Sequence, residues 1–256
     1  MKNGLTLRLS LLTIACCWPL SVLAQGEAAK NMAPASHSGG TSAGVSITAA
    51  STPVDLARAA LAAQGGDKFK NLKSMVLIGS VNLYAPNSTQ SVPGQFAMVV
   101  AGERFRIDVN APPVITFKQV YDGQTSYNSL PNVPPLPAPS SFGLPLLLRF
   151  DQPGYTVTAL PDKKKQRGFK ITDADGNWTD FYVDAATAQV VNYSTQRNGV
   201  IFAIENKKTK EVDGVLVPYS FSWRLEMTQG AAFAEYNVKD VKLNQPVQDD
   251  VFAIPN

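Results

Sequence analysis

Tyr219-Ser220-Phe221-Ser222-Trp223-Arg224-Leu225-Glu226-Met227 places a large apolar side chain at every second position, with small or charged residues between. Successive side chains on an extended strand point to opposite faces, so this stretch predicts a strand with one face buried and the other wet. The same period runs through Phe96-Ala97-Met98-Val99-Val100, Phe105-Arg106-Ile107-Asp108-Val109 and Phe181-Tyr182-Val183-Asp184. Turn signals recur at Asp122-Gly123, Asp175-Gly176-Asn177, Asn198-Gly199 and Asp213-Gly214. Short connections between half-buried strands imply an antiparallel meander with one apolar face in need of cover.

Two segments offer that cover. Thr52-Pro53 is a helix-start signal, an N-cap followed by proline at the first helical position. It leads into Val54 to Ala63 and stops at Gly65-Gly66, with Leu56, Ala59, Ala60 and Ala63 on one face. The second is residues 128–150. A proline-rich run, Ser129 to Pro139, is followed by Phe142-Gly143-Leu144-Pro145-Leu146-Leu147-Leu148-Arg149-Phe150. A long apolar connection inside a domain is either a mobile lid or a loop that plugs the core, and both readings stand at this point.

The chain opens with Lys2 and Arg8 ahead of the apolar run Leu9 to Leu23, and Val22-Leu23-Ala24 suits a signal peptidase. Residues 1–24 are therefore expected to be a cleaved secretory signal peptide, and the run is too short, and too interrupted by Pro19, to be a membrane span. Thr13-Ile14-Ala15-Cys16 is a loose lipobox without the usual leucine, so a lipid-anchored form is not expected. Residues 25–52, rich in Ala, Ser, Gly and Thr, read as a flexible low-complexity linker. The folded domain is then 53–256, long enough to bury a core without disulfides.

Both cysteines, Cys16 and Cys17, fall in the leader, and the only histidine, His37, falls in the linker. The domain thus has neither thiolate nor imidazole, which removes Cys nucleophiles, Ser-His-Asp triads and His-ligated metals. Gly40-Thr41-Ser42-Ala43-Gly44 matches a nucleophile elbow, but no strand precedes it and no histidine follows it. Asp173, Asp175, Asn177 and Asp180 resemble a calcium loop only loosely, with Trp178 where its glycine belongs, and a hairpin turn explains them better. Glu103, Asp108, Glu226 and Glu235 leave room for a carboxylate hydrolase, although nothing selects a pair. Removing Lys2 and Arg8 takes the formal charge from +3 to about +1, with no footprint for nucleic acid. The basic runs Lys163–Arg167 and Lys207–Lys210 read as solvated strand ends, or as steering toward anionic headgroups. No catalytic residue, metal site or cofactor is implied.

A wider set of motifs carries a family resemblance. It comprises Ala60 to Gly66 with Phe69 and Leu72, Ala101 to Val109, Val120 to Tyr127, Phe181 to Asp184 with Gln189-Val190-Val191, Val212 to Pro218, and Pro246 to Phe252. In this order they resemble the periplasmic lipoprotein-carrier superfamily, LolA/LolB-like, and in particular its divergent outer-membrane lipoprotein-sorting members. The resemblance spans about residues 53–254. It implies a mainly β fold with a few helices, a curved antiparallel half-barrel covered by helices and a lid, enclosing an apolar cavity for acyl chains. Transport members carry a lid-closing arginine where Ala101 stands here.

The expected walls of such a cavity are Phe96, Met98, Phe105, Ile107, Tyr121, Leu144, Leu147, Leu148, Phe181, Phe221, Trp223 and Tyr236, chosen by strand phase or by position in the 128–150 segment. The expectation is a non-enzymatic periplasmic binding or carrier protein for lipid or lipoprotein acyl chains, meeting a partner protein at the inner or outer membrane. The alternative is a protein-interaction module of an envelope complex with the same fold and a filled core.

Overall fold

The computed structural model describes residues 47–255 apart from Asn132 and Gln229. The expected signal peptide at 1–24, the expected linker as far as residue 46, Cys16, Cys17, His37 and the Gly40–Gly44 motif lie outside the described residues.

Twelve strands form one antiparallel sheet that does not close. They are β1 (Ser74–Tyr84), β2 (Ser91–Ala101), β3 (Arg104–Ala111), β4 (Ile115–Tyr121), β5 (Ser126–Asn128), β6 (Thr156–Lys163), β7 (Gln166–Thr172), β8 (Trp178–Asp184), β9 (Val190–Arg197), β10 (Val200–Val212), β11 (Val215–Met227) and β12 (Gly230–Leu243). Their spatial order is β5-β4-β3-β2-β1-β12-β11-β10-β9-β8-β7-β6. Two meanders, β1–β5 and β6–β12, are therefore joined side by side through the first and last strands. The chain passes between them only once, through residues 129–155, which run from one free edge of the sheet to the other.

The turn chemistry is the one the sequence announces. Asn198-Gly199 and Asp213-Gly214 hold left-handed backbone at both residues of their two-residue hairpins, the combination that matches strand twist. The Asp173 carboxylate accepts from the backbone N–H of Asp175 at 3.1 Å and of Asn177 at 2.8 Å, which makes this acidic cluster a β7–β8 turn.

The β1–β12 pairing runs from Met75 opposite Leu243 to Tyr84 opposite Phe233, with a bulge at Ile78/Gly79. The backbones approach so closely there that a Cβ on Gly79 would stand 2.0 Å from the Asn237 carbonyl oxygen and 2.9 Å from the Val238 Cα. Only glycine fits this contact.

Helix α1 (Pro53–Ala63) begins with a reciprocal capping box, in which the Asp55 N–H donates to Thr52 Oγ1 at 3.2 Å and the Thr52 N–H donates to the Asp55 carboxylate at 3.1 Å. It buries Leu56, Ala57, Ala59, Ala60 and Leu61, a wider face than the one expected, because it is covered both by the sheet and by the 144–150 turn; Ala63 is only half-buried. A single turn, α2 (Asp67–Lys70), leads into β1. Ahead of α1, Ile47 packs on the core and Arg167 donates to the carbonyls of Thr48 and Ser51.

The interior is divided. One apolar cluster joins α1 and the 144–150 turn to β7, β8 and β9 through Leu56, Leu61, Leu146, Leu147, Phe150, Phe169, Ile171 and Phe181. The other lies on β1, β2, β3, β11 and β12, with Leu77, Phe96, Ile107, Val217, Phe221 and Tyr236 at its centre. Outside the sheet, Phe252 is buried against β3, with Arg104 over its ring at 4.6 Å and Arg106 donating to the Val251 carbonyl at 2.7 Å.

Gly79→Ala should destabilise the protein by at least the ~1–3 kcal/mol typical of overpacking, since the obstructing atoms are backbone and cannot rotate away. Urea denaturation checks this, and an unchanged midpoint would contradict the bulge geometry.

Candidate functional site

Between the two clusters the concave face is not filled. A cavity of about 370 Å³ opens there, lined from the sheet side by Met75 and Leu77 of β1, Met98 and Val100 of β2, Phe105 of β3, Tyr193 of β9, Ile204 of β10, and Val215, Pro218, Phe221 and Trp223 of β11. Phe69 and Leu72 line it near α2. The 129–155 segment roofs it with Leu136, Pro137, Pro139, Phe142, Leu144, Pro145 and Leu148. Its size falls in the range of small-molecule sites.

Strand phase explains the lining. On β1 the odd-numbered residues face inward, and their partners Met98 and Val100 on β2 stand opposite Leu77 and Met75. Deeper along the same face, the rings of Phe96, Phe221 and Tyr236 fill the space: Tyr236 stacks on Phe221 at 4.9 Å and meets Phe96 edge-on at 4.9 Å. Trp223 lies 5.0 Å from Tyr236 and 6.3 Å from Phe105, so the cavity wall ends in aromatic rings.

Of the twelve expected wall residues, the structure brings Met98, Phe105, Leu144, Leu148, Phe221 and Trp223 together around the cavity. Phe96, Ile107, Leu147, Phe181 and Tyr236 are buried in the two clusters and do not line it. Tyr121 lies toward the β4–β5 edge, where its hydroxyl donates to the Gly123 carbonyl at 3.0 Å. The phase was correct for these strand residues, but phase does not report depth. Ile204 and Tyr193 went unread because β9 and β10 mix polar residues into their alternation.

The roof combines both readings of residues 128–150. Phe142, Leu146, Leu147 and Phe150 are buried, while Leu144 and Leu148 face the cavity. Two bonds fix its far half to the second meander: the Gly143 N–H donates to Thr179 Oγ1 at 3.3 Å, and Arg197 donates to the Ser141 carbonyl at 3.0 Å. Gly143 has φ +78° and stands so near the Tyr193 ring that a Cβ would approach it to 2.8 Å. On the other side, Arg149 pairs with Glu103 in the β2–β3 turn and reaches the Tyr155 hydroxyl at 3.4 Å. One exposed ion pair thus spans the opening between the meanders.

The four carboxylates considered for hydrolysis do not converge. Glu103 pairs with Arg149, Asp108 with Arg106, Glu226 with Arg224 and Glu235 with Lys207. Some lysines of the basic runs are engaged as well, Lys163 over the Tyr182 ring at 3.7 Å and Lys210 over Tyr219 at 4.2 Å. Within the cavity, burial pushes the Tyr193 hydroxyl well above the ordinary tyrosine range, so it stays protonated.

No family model matches the chain, and no curated protein matches it significantly in sequence. Its architecture does match a solved structure, a LolA superfamily protein from Nitrosomonas europaea, with a TM-score of 0.53 at 12% identity, covering 80% of this chain and 99% of that one. The fold is LolA-like. Two further structures are similar to a lesser degree, both at 12% identity. A DUF1329 family protein from Desulfovibrio piger has a TM-score of 0.49, covering 78% of this chain and 95% of that one. A domain from Vibrio parahaemolyticus, provisionally described as an outer membrane lipoprotein-sorting protein, has a TM-score of 0.47, covering 77% and 97%. In this LolA-like fold two cations tie roof to sheet, Arg149 from the roof to Glu103 and Arg197 from β9 to the Ser141 carbonyl.

Two adjacent roof leucines should behave differently. Leu147→Ala should cost about 2–5 kcal/mol as a core truncation, whereas Leu148→Ala, facing the cavity, should cost about 1 kcal/mol by the lost contact area. Equal losses in thermal denaturation would contradict the division of the roof. Arg149→Met should change global stability by less than ~1 kcal/mol, as for other exposed pairs, yet speed hydrogen exchange at residues 142–150 by several-fold; unaltered exchange would show that the pair does not hold the roof.

Proposed function

We propose that this chain is a non-enzymatic periplasmic carrier or sensor that holds an acyl chain, of a lipid or of a lipoprotein, in the cavity under the 129–155 roof. The observation that carries this reading is the hollow itself: two well-packed apolar clusters leave about 370 Å³ between them, walled by apolar side chains from both meanders. An unoccupied apolar space forfeits packing contacts, and a folding domain gains nothing from keeping one.

Such a site needs little specific chemistry. Burying a methylene is worth roughly 0.8 kcal/mol, so a full acyl chain gains on the order of 10 kcal/mol gross before the cost of ordering. Most of the surface that the cavity walls bring is aromatic and aliphatic. The LolA-like fold agrees with a carrier role, and the leader at 1–24 supports export to the periplasm. Among the described residues no helix is long and apolar enough to cross a membrane. A partner at the inner or outer membrane would deliver or receive the cargo.

The mature chain starting at Gln25 would hold two tryptophans, Trp178 and Trp223, of which Trp223 lines the cavity. In a Trp178→Phe background, titration with hexadecyl-chain ligands should give a saturable shift of Trp223 emission. Leu144→Asp should weaken the apparent affinity at least tenfold with an unchanged far-ultraviolet spectrum. A Trp223 signal that no acyl ligand moves would overturn the proposal.

A further inference from the structure

Apart from Asn206, opposite Phe221, and the Tyr193 hydroxyl, the polar residues of the cavity gather at one end. Ser74, the first residue of β1, stands opposite Ala101, the last of β2, and Ala101 pairs with Arg104 across the Gly102-Glu103 turn. Lys73 directly precedes Ser74, and Lys70 ends α2 three residues earlier. Lys70, Lys73, Glu103 and Arg149 therefore ring one end of the cavity, while the opposite end is closed by Phe96, Phe221 and Tyr236. Glu103 and Arg149 neutralise each other. Lys70 has only a loose pairing at 3.8 Å with the highly exposed Asp67, and among the described residues no carboxylate lies within ion-pair distance of Lys73. That end thus carries an excess of positive charge beside a mainly apolar lining.

The volume restricts the tail. An apolar cavity of about 150 Å³ accommodates benzene, six carbons, so about 370 Å³ accommodates on the order of fifteen carbons by the same ratio. That is one acyl chain. A diacyl lipid would need about twice this space, and a triacylated chain end three times.

We infer that the preferred ligand is a single-chain anionic amphiphile of about fourteen to sixteen carbons, with its carboxylate or phosphate between Lys70 and Lys73 and its tail against Met98, Phe105 and Trp223. This rests on the carrier reading of the cavity and narrows it. Both ammonium groups are near enough to water to leave the headgroup partly hydrated, so the charge sets selectivity and the tail sets affinity.

The mature protein is to be titrated, with Trp223 emission and native mass spectrometry as readouts, against palmitate, 1-palmitoyl lysophosphatidylglycerol, monopalmitoylglycerol and dipalmitoyl phosphatidylglycerol. The two single-chain anions should bind one to one and at least tenfold more tightly than the neutral monoglyceride and the diacyl lipid. The double variant Lys70→Glu, Lys73→Glu, altered only at the exposed mouth, should lose the anion preference and keep its affinity for monopalmitoylglycerol. Equal binding of the neutral and charged single-chain ligands, or tighter binding of the diacyl lipid, would overturn this inference and leave the carrier reading standing. Failure of all four ligands to bind would overturn both.

Discussion

The pairing of the first strand with the last holds this molecule together. Strands β1 and β12 are separated by nearly the whole domain in sequence, yet they form the middle of the sheet, and every other ladder is a local hairpin. Without that pairing the chain would be two independent meanders, each with a long exposed edge and half of a core. The ladder also has a close backbone approach that only glycine allows, at Gly79 against Asn237 and Val238, and the bulge there increases the local twist. Because the pairing joins residues so far apart, its loop-closure cost must be met before it yields any stabilisation, and the protein should fold slowly for its size.

The hollow is a consequence of this arrangement. Each meander brings its own apolar cluster, one centred on Phe169 and Phe181 with α1 and the 144–150 turn, the other on Phe96, Phe221 and Tyr236. The sheet holds the two clusters side by side but does not press them together. Among the described residues the 129–155 segment, whose prolines fix φ at several positions, crosses over the concave side. Its second half is anchored by Leu146, Leu147 and Phe150 in one cluster, and only the Arg149–Glu103 pair ties it to the other meander. The segment is thus packed firmly on one side and held by a solvent-exposed pair on the other.

Much of the fold was legible because its signals are local. Alternation in Tyr219–Met227, Phe96–Val100 and Phe105–Val109 marked β11, β2 and β3, the Asn-Gly and Asp-Gly pairs marked the hairpins, and Thr52-Pro53 marked the start of α1. The site was legible only by half. Phe96 and Met98 share a strand face, but one packs among aromatic rings and the other borders a void, a difference set by what lies across the barrel and not by neighbours in sequence. Leu147 and Leu148 are adjacent in a tight turn and point into different surroundings. Glu103 and Arg149 are 46 residues apart and on different elements, so neither residue carries a local mark of the other.

The most direct test of the central claim, that the space between the clusters is a ligand chamber, is native mass spectrometry with lipid extraction on the mature protein purified gently from its own envelope. The account predicts a complex carrying one acyl ligand, released on denaturation and absent when the cavity is filled by Met98→Trp. A bare polypeptide mass, with no added acyl ligand taken up, would contradict it.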